Sequence, residues 1–437
     1  MCSLLSTKTN NFLNMNWLKQ GFKHIWLPYT QMQTAKLPLA VKKTKGVYIT
    51  LENGMRLIDG ISSWWSVSHG YNHPYILKSM AKQLRTMPHV MLAGLANKPA
   101  FSLATRLSEF ANQKSAKKNE RLNKVFFSDS GSTAVEVAMK IAVQYFLNKG
   151  DEKKCKIMAF HNSYHGDTMG GMSLCDPKSG MHAKFKNYLP KQLTTNLPTN
   201  KAKLKKFSDF VTKNQDKAAA IIIEPLIQCA GGMKFHDAKI LEDITKICKK
   251  HNILTIFDEC AVGFYRTGKK FAFHHTKITP DLLIVGKALT GGTITLAATL
   301  TNDKIFNAFL DDSLDKALMH GPTFMGNALA CAAANASLDL FEKFDYEKKV
   351  SVISDFLTRE LEQFKNHHKV KEIRVLGAVG VIELTELTWE ETLKLRENLV
   401  KHKVWLRPFA NVIYFMPPLT IKNKELKKLV NAVKLSL

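Results

Sequence analysis

The 437-residue sequence has no uncharged apolar run of about eighteen residues, the length that a membrane-spanning helix requires. The beginning of the chain also lacks the apolar stretch of a secretory signal peptide. We therefore expect no membrane partner and a cytoplasmic location. Residues 1 to about 20 mix Asn, Ser, Thr and Lys without periodicity and predict a loose arm, with Met15 as an alternative to Met1 as the first residue.

Metal-binding motifs are also missing. The seven cysteines are scattered, odd in number and never spaced as Cys-x-x-Cys, a pattern typical of a reducing compartment without structural zinc. His161 and His165 lack the Glu of a His-Glu-x-x-His motif, so we interpret them as a satisfied polar pair. The sequence predicts no metal site.

Acidic residues are few: 37 Asp and Glu face 63 Lys and Arg, which gives a net charge of +26. Such a charge is compatible with binding to nucleic acid or to an anionic membrane. The lysines, however, are spread along the chain in small groups, which favours a solvated lysine-rich surface and no nucleic-acid partner. A non-catalytic basic protein that binds nucleic acid is the remote alternative, and it would lose affinity steeply with salt.

Apolar strands alternate with amphipathic helices between residues 75 and 320, for instance a helix over about 237 to 251. This alternation predicts an α/β fold with a mostly parallel sheet, whose ligands bind at the carboxyl ends of the strands. A hairpin with an Asn-Gly turn precedes it over 46–59, and an Ala-rich helix from about 330 leads to a second α/β region with strands over 374–377 and 404–408. The candidate strands of the sheet are 125–127, 157–160, 220–223, 254–257, 282–285 and 297–300.

Three of these strands are followed by residues that carry chemistry. Residues 128–132 form a Ser/Gly turn that opens a helix, which suits a phosphate but is equally an ordinary helix cap. Asp258 ends a buried strand, where a carboxylate needs a cationic partner. Lys287 ends the next strand and either reaches water or lies in a pocket that favours its neutral, nucleophilic amine.

A phosphate cradle, a buried acid and an amine on adjacent strand ends are what pyridoxal 5′-phosphate requires. The lysine forms an imine with the cofactor, the acid keeps the pyridine nitrogen protonated, and the helix end takes the phosphate. Each residue alone has an ordinary structural explanation. Their combination in this order predicts a pyridoxal-phosphate enzyme.

The chain resembles the class III aminotransferases among the fold-type-I pyridoxal-phosphate enzymes. The resemblance extends from about His24 nearly to the end of the chain. It implies a large domain with a mostly parallel sheet flanked by helices, and a smaller α/β domain built from both ends of the chain. The expected boundaries are 1–74 for the first part of the small domain, 75–321 for the cofactor-binding domain and 322–437 for the rest. The motifs that carry the resemblance are His24–Thr30, Ser62–Trp65, His69–Pro74, Tyr164–Thr168, Gly286–Thr293 and His320–Asn327.

The resemblance also implies roles for individual residues. Lys287, Asp258 and Tyr164 would be catalytic, with Tyr164 stacked on the cofactor ring. Pro322 and Thr323 would reach the phosphate bound by the partner subunit, which implies a homodimer. The implied cofactor-binding residues are Gly131, Ser132, Tyr164, Asp258, Lys287, Pro322 and Thr323. The implied substrate-binding residues are Tyr29, Trp64, Tyr164, Asp167, Arg266, Lys287, Gly321 and Arg407.

Within the family, the motifs resemble those of the branch that transfers an amino group from S-adenosylmethionine to 8-amino-7-oxononanoate in biotin synthesis. Members acting on ornithine or 4-aminobutyrate typically carry Gly-Gly-Gly-x-Pro after the lysine, whereas residues 290–294 read Thr-Gly-Gly-Thr-Ile. Another ω-aminotransferase or an aminomutase is the alternative. Lysine also stays open as the amino donor, because some members of the branch use it.

Two positions depart from the family pattern. Tyr265 stands where glycine is usual, and a tyrosine disfavours positive φ beside Arg266. Ala328 stands where a proline usually follows Asn327. Both lie away from the cofactor-contacting positions, so we expect activity to survive.

Overall fold

The structure is a computed structural model that describes residues 16–176 and 180–437. Most of the predicted N-terminal arm, and Met15 with it, lies outside the described residues. The arm was predicted to be loose to about residue 20, but a helix begins at Asn16.

The strands of the described chain are β1 Val41–Lys45, β2 Tyr48–Leu51, β3 Arg56–Asp59, β4 Lys124–Ser128, β5 Lys156–Phe160, β6 Leu193–Thr195, β7 Ala218–Ile223, β8 Ile227–Gln228, β9 Lys234–Phe235, β10 Leu254–Asp258, β11 Leu282–Val285, β12 Ala297–Thr301, β13 Val370–Leu376, β14 Val379–Leu384, β15 Val404–Trp405 and β16 Val412–Phe415. The helices are α1 Asn16–Phe22, α2 Ser62–Trp65, α3 Pro74–Thr86, α4 Lys98–Ala111, α5 Gly131–Leu147, α6 Met169–Ser173, α7 Lys201–Asn214, α8 Ala238–Lys250, α9 Asp303–Phe306, α10 Ala328–Lys343, α11 Tyr346–Leu361, α12 Trp389–Lys401 and α13 Asn423–Lys434. Short 3₁₀ turns occur at Lys118–Glu120, Ala183–Phe185, Ala272–His275, Lys287–Thr290, Asn307–Phe309 and Glu362–Phe364.

The central sheet has seven strands in the order β4-β12-β11-β10-β7-β5-β6. All neighbours pair in parallel except β12, which runs antiparallel to both β4 and β11. Strands β7, β10 and β11 are buried along their whole length because helices cover both faces. All six strands predicted for this region belong to the sheet, and the predicted α/β fold with a mostly parallel sheet is confirmed.

The two ends of the chain share a second sheet of order β1-β2-β3-β15. Its first three strands are antiparallel and include the predicted hairpin, whereas β15 from the C-terminal part pairs in parallel with β3. Strands β13, β14 and β16 form a third, antiparallel sheet. A smaller region built from both ends is therefore present, and the domain boundaries at 74/75 and 321/322 remain predictions.

The Ala-rich helix α10 packs against α3 and α4 through a side made mostly of alanine. Asn327 caps this helix by accepting the Ala330 N–H at 2.9 Å. Ala328 is the first residue of this helix. The N–H group at this position makes no intrahelical hydrogen bond, so proline is favoured there but is not required. The departure at Ala328 thus leaves the helix start intact.

The strand predicted over 404–408 is shorter than expected and ends at Trp405. Pro408 has no N–H for a ladder, and its carbonyl oxygen instead accepts two bonds from the Arg396 guanidinium, at 3.0 and 2.6 Å. Arg407 therefore follows the strand on an irregular segment.

Among residues 16–176 and 180–437, no helix is both long enough and apolar enough to span a bilayer.

Candidate active site

The carboxyl ends of β4, β10 and β11 lie at one edge of the central sheet, because these three strands run in the same direction. The prediction that the three strand ends are adjacent is correct for β10 and β11 but wrong for β4. Strand β12 lies between β4 and β11, and the chain returns through it in the opposite direction. Residues at or after the ends of all three strands nevertheless line one cavity. The residues that line this cavity are Trp65, Ser130, Gly131, Ser132, Tyr164, His165, Gly166, Glu224, Ile227, Asp258, Cys260, Ala261, Val262 and Lys287.

Lys287 lies partly buried in this cavity, at the start of a 3₁₀ turn. Its backbone has φ of +42°, a left-handed conformation that non-glycine residues adopt only where the surroundings enforce it. Its Nζ lies 5.1 Å from the centre of the Trp65 ring. Lys287 is thus held in the cavity, as one of the two sequence interpretations predicts. Trp65 was not singled out as a site residue.

The Ser/Gly turn after β4 caps a helix and also borders the cavity. Ser130 caps α5 by accepting the Thr133 N–H at 3.3 Å, while Gly131 and Ser132 line the cavity. A Cβ on Gly131 would lie 2.9 Å from the Cys260 Sγ, so the wall is closely packed there. The start of a seventeen-residue helix faces the cavity and presents free N–H groups and a positive dipole.

A second glycine keeps this wall open. Gly166 has φ of +107°, and a Cβ there would lie 1.9 Å from the Ser132 Oγ. The same Oγ accepts the Asp167 N–H at 3.1 Å. Only glycine fits at position 166, and the Ser132 hydroxyl is thereby fixed beside the helix start.

Asp258 is buried, and its carboxylate accepts bonds from His165 Nδ1 at 2.8 Å and from the Cys260 N–H at 3.1 Å. Burial acts to raise the pKa of Asp258, but the bond to His165 and the charge of Lys287 outweigh it and lower the pKa. The acid therefore stays ionised at the cavity. The predicted pairing of His161 with His165 is wrong, because His161 lies 3.5 Å from Asp176 instead.

Glu224, which follows β7 directly, also lines the cavity, although the sequence analysis did not single it out. Its buried carboxylate accepts the N–H groups of Tyr164 at 3.1 Å and of Cys229 at 3.0 Å. Burial raises the pKa of Glu224 to about 7. The position immediately after a buried parallel strand was the signal that could have identified it.

Four residues from distant segments form a polar and aromatic cluster at the cavity mouth. The Asp167 carboxylate accepts the phenol O–H of Tyr29 at 2.6 Å and that of Tyr164 at 2.9 Å. The Trp64 ring meets Tyr29 edge to face, with ring centres 6.0 Å apart. Burial, the Tyr29 phenol and the Asp167 carboxylate raise the pKa of Tyr164, and burial and the Asp167 carboxylate raise the pKa of Tyr29. Both phenols therefore remain neutral hydrogen-bond donors.

Arg407 completes this cluster. Its guanidinium carbon lies 5.0 Å from the centre of the Trp64 ring, a cation–π distance. Within the described part of the chain, the guanidinium makes no hydrogen bond or ion pair. Five predicted substrate-binding residues, Tyr29, Trp64, Tyr164, Asp167 and Arg407, are therefore together beside the cavity.

Arg266 is placed differently. Its side chain is 2% exposed and does not line the cavity. One guanidinium nitrogen donates to the Pro417 carbonyl oxygen at 2.6 Å, and burial lowers the pKa of Arg266 to about 10. The structure does not bring Arg266 into contact with the cluster at the cavity mouth.

Tyr265, next to Arg266, has φ of +67° despite the steric cost to a tyrosine. Its ring packs on Phe341 and Tyr346, with ring centres 5.5 and 5.7 Å apart. Replacing Tyr265 with glycine would relieve about 1 to 2 kcal/mol of backbone strain but would forfeit about 3 to 5 kcal/mol of ring burial. We expect Tyr265→Gly to lower the free energy of unfolding by about 1 to 4 kcal/mol in urea titrations.

The control for this prediction is Tyr265→Phe, because the phenol oxygen makes no hydrogen bond within the described residues. It should stay within about 0.5 kcal/mol of the unmodified protein. Stabilisation by Tyr265→Gly would show that the strain outweighs the packing.

Gly321, Pro322 and Thr323 do not line the cavity of this single chain. Gly321 and Thr323 are exposed, and Met319 and Phe324 beside them are 73% and 55% exposed. The structure therefore does not bring these three residues together with the other predicted site residues, and their contacts with cofactor and substrate remain predictions.

Known proteins are similar to this chain over most of its length. The family model described as aminotransferase class III matches residues 29–437. A Buchnera aphidicola (subsp. Schizaphis graminum) protein named adenosylmethionine-8-amino-7-oxononanoate aminotransferase is 43% identical over 422 residues, which cover 95% of each chain. The crystal structure of a Methanocaldococcus jannaschii protein with the same name has a TM-score of 0.90 at 33% identity, covering 95% of this chain and 98% of that one. An amine transaminase from an uncultivated Pseudomonas species, solved with PLP bound, has a TM-score of 0.87 at 28% identity, covering 94% and 98%.

Proposed function

The chain belongs to the class III aminotransferases, and on that basis we propose that it transfers an amino group from S-adenosylmethionine to 8-amino-7-oxononanoate, giving 7,8-diaminononanoate for biotin synthesis. The relatives with 35% to 43% identity carry the name of this reaction. The observation that supports the proposal most directly is the cluster of Tyr29, Trp64, Tyr164, Asp167 and Arg407 beside Lys287.

The residues of the cavity fit pyridoxal 5′-phosphate. Gly131, Ser132 and the start of α5 offer N–H and hydroxyl donors to a phosphate. The ionised carboxylate of Asp258 suits a protonated pyridine nitrogen, and Tyr164 lies at the wall where a ring would stack. Gly131 and Gly166 lie so close to neighbouring atoms that larger side chains would not fit at these positions of the cradle. When bound, the cofactor supplies an electron sink and carries the amino group between the two half-reactions.

We infer the following roles for the side chains. The Lys287 Nζ is the only lysine amine at this cavity among the described residues, so it binds the cofactor and, once free, moves a proton to and from the reacting carbon. His165 fixes the orientation of the Asp258 carboxylate through the 2.8 Å bond. Glu224 holds the backbone of Tyr164 in place.

The cavity mouth has features for both substrates. The exposed faces of Tyr29 and Trp64 offer aromatic surfaces to a sulfonium cation and to an aliphatic chain. The Arg407 guanidinium offers a bidentate partner to the carboxylate of the keto acid. Asp167, already bonded to two phenols, orients the Tyr29 and Tyr164 hydroxyls toward the same space. Arg266 remains a predicted neighbour of the substrate without a contact that supports it.

We also propose a homodimer in the cytoplasm. The exposed segment Gly321–Thr323 carries apolar neighbours on both sides, and exposed Met91 and Leu95 add to the apolar surface of the chain. A second copy covering this surface would bring Pro322 and Thr323 to the partner's phosphate site. The cysteines within the described residues are all free, which fits a reducing compartment.

A single-turnover test decides between the donors. Holoenzyme prepared with pyridoxal 5′-phosphate is mixed with S-adenosylmethionine, lysine, ornithine or 4-aminobutyrate, and the visible absorbance of the cofactor is followed. We expect S-adenosylmethionine to convert it and 8-amino-7-oxononanoate to restore it. Conversion by ornithine or 4-aminobutyrate alone would make the chain an ω-aminotransferase of another kind, and conversion by lysine alone would change only the donor.

Arg407→Ala tests the carboxylate site. The loss of a charge-assisted, partly desolvated pair should weaken binding of the keto acid by about 2 to 4 kcal/mol, so its KM should rise about thirty-fold or more. Absorbance of the bound cofactor should stay unchanged. Arg407→Lys should recover only part of the loss, because a point charge does not reproduce the planar guanidinium. Loss of cofactor with an unchanged KM would remove Arg407 from the substrate site.

A further inference from the structure

The turn α2 that carries the two tryptophans of the active site is left-handed. All four of its residues, Ser62 to Trp65, have positive φ, between 45° and 72°. None of them is glycine, and successive left-handed residues are sterically unfavourable for L-amino acids. The surrounding structure must therefore hold this turn in place.

The turn determines where both tryptophan rings lie. Trp64 contacts Tyr29 and Arg407 at the cavity mouth, with 40% of its surface exposed. Trp65 is 8% exposed and forms the wall beneath the Lys287 Nζ. Relaxation of the turn to ordinary backbone angles would redirect both side chains away from these contacts.

Asp59, at the end of β3, is the group that binds this turn from inside. Its fully buried carboxylate accepts the Ile61 N–H at 2.8 Å through Oδ1, and the Ser63 N–H at 2.9 Å through Oδ2. The Tyr71 hydroxyl donates to the same Oδ2 at 2.6 Å and also contacts the Ser63 hydroxyl. Asp59 forms no ion pair with any residue that the structure describes. The buried Arg266 guanidinium is near enough for its charge to interact with that of Asp59, but the hydrogen-bond partners of the carboxylate belong to the turn and to the tyrosine that braces it.

From this arrangement we infer that Asp59 is a positioning residue of the aminotransferase, whose carboxylate holds the left-handed turn and thereby places Trp64 for the keto substrate and Trp65 beneath Lys287. The assignment of the substrate rests on the proposed function. The placement of the two rings does not.

Asp59→Asn tests this role kinetically. The amide is similar in size but has one acceptor oxygen, and it turns an NH₂ group toward N–H or O–H donors. We expect the KM for 8-amino-7-oxononanoate to rise about ten-fold or more and kcat to fall by less than KM rises, because displacement of Trp65 also changes the wall beside Lys287. Unchanged KM, or an equal loss of every parameter, would reduce Asp59 to a general stabilising residue.

The matched control is Asp281→Asn. Asp281 is also a buried aspartate, and it accepts the N–H and hydroxyl of Thr255 at 2.9 and 3.0 Å. It lies just before β11, at the opposite edge of the sheet from the cavity. This variant should lose stability while KM stays within about two-fold, because its carboxylate does not hold a site residue.

A spectroscopic measurement tests the turn without any substrate. The six tryptophans of the chain can be labelled with 5-fluorotryptophan and observed by ¹⁹F NMR, with Trp64→Phe and Trp65→Phe providing the assignments. Asp59→Asn should move or broaden the resonances of Trp64 and Trp65, and Asp281→Asn should not. Unmoved resonances would overturn the inference. If the unmodified enzyme does not convert the keto acid, the proposed function fails, but this comparison still decides whether Asp59 holds the turn.

Two further variants protect the test against misfolding and address the strain directly. If Asp59→Asn does not fold, Tyr71→Phe removes only the brace and should still move or broaden the resonances of Trp64 and Trp65; unmoved resonances in this variant would then overturn the inference. Adding Ser63→Gly to Asp59→Asn gives the turn a residue that accepts positive φ freely, and Ser63 is exposed, so no cavity results. We expect the double variant to recover at least about three-fold in KM. A KM equal to that of Asp59→Asn, or higher, would show that strain is not what Asp59 opposes.

Discussion

Lys287→Ala should reduce turnover by about 10³-fold or more, which is the largest effect that we expect from any single substitution. The methyl group left behind binds no cofactor covalently and carries no proton, so both tasks of the amine are lost together. The visible absorbance of bound cofactor should shift toward that of the free aldehyde. Single-turnover kinetics with S-adenosylmethionine measure the loss, and added methylamine should restore part of it because a small amine fits the vacated space.

Lys154→Met is the appropriate control for losing a buried lysine. The Lys154 Nζ donates to the carbonyl oxygens of Gln215, Ala218 and Asn252 at 2.7, 3.2 and 3.0 Å, and it does not line the cavity. This variant should lower the Tm while the folded fraction keeps turnover within about two-fold. Turnover by Lys287→Ala at the unmodified rate would refute the mechanism.

Asp258→Asn should reduce turnover by about 10² to 10³-fold, the second largest effect. The amide cannot balance a protonated ring nitrogen, so the cofactor would lose much of its capacity as an electron sink. It would also replace the acceptor that orients His165 with a mixed donor and acceptor. Stopped-flow measurement of each half-reaction should show both slowed, since both use the same ring.

The same Asp281→Asn variant controls for removing one buried carboxylate from this sheet. It should leave both half-reactions within about two-fold, because Asp281 lies at the edge remote from the cavity. A reduced cofactor affinity with unchanged half-reactions in Asp258→Asn would assign the carboxylate to binding alone.

Strand-end reasoning predicted Asp258 and Lys287 because each stands at the end of a mostly apolar run, and the pattern of such runs needs no knowledge of tertiary contacts. The same reasoning applied to Glu224 would have added a third cavity residue, since it follows the buried strand Ala218–Ile223 directly. The position of β12 between β4 and β11 was not predictable in this way. An apolar run has no direction, so its antiparallel course is not encoded in the run itself.

The side chains at the cavity mouth were predicted only through the resemblance to the family. Tyr29, Trp64 and Arg407 come from segments far apart in sequence, and no local pattern links them. The left-handed turn that presents Trp64 contains no glycine, so the usual signal for positive φ was missing. Tyr265 shows the same effect, because packing on Phe341 and Tyr346 holds a backbone conformation that its residue type disfavours.

The parallel pairing of β3 with β15 has a consequence for how the enzyme is made. Ile58 pairs with Val404, and the Ser62 hydroxyl donates to the Met416 carbonyl oxygen, so the support of the tryptophan turn comes from the end of the chain. During synthesis the N-terminal segment cannot form these contacts until nearly the whole chain has emerged from the ribosome. Contacts between such distant residues form slowly, and exposed strand edges in the waiting chain invite aggregation or chaperone binding. A nascent chain truncated before residue 404 would therefore lack both β15 and the Met416 carbonyl oxygen, so the tryptophan turn would be without these two supports even if the central sheet had already formed.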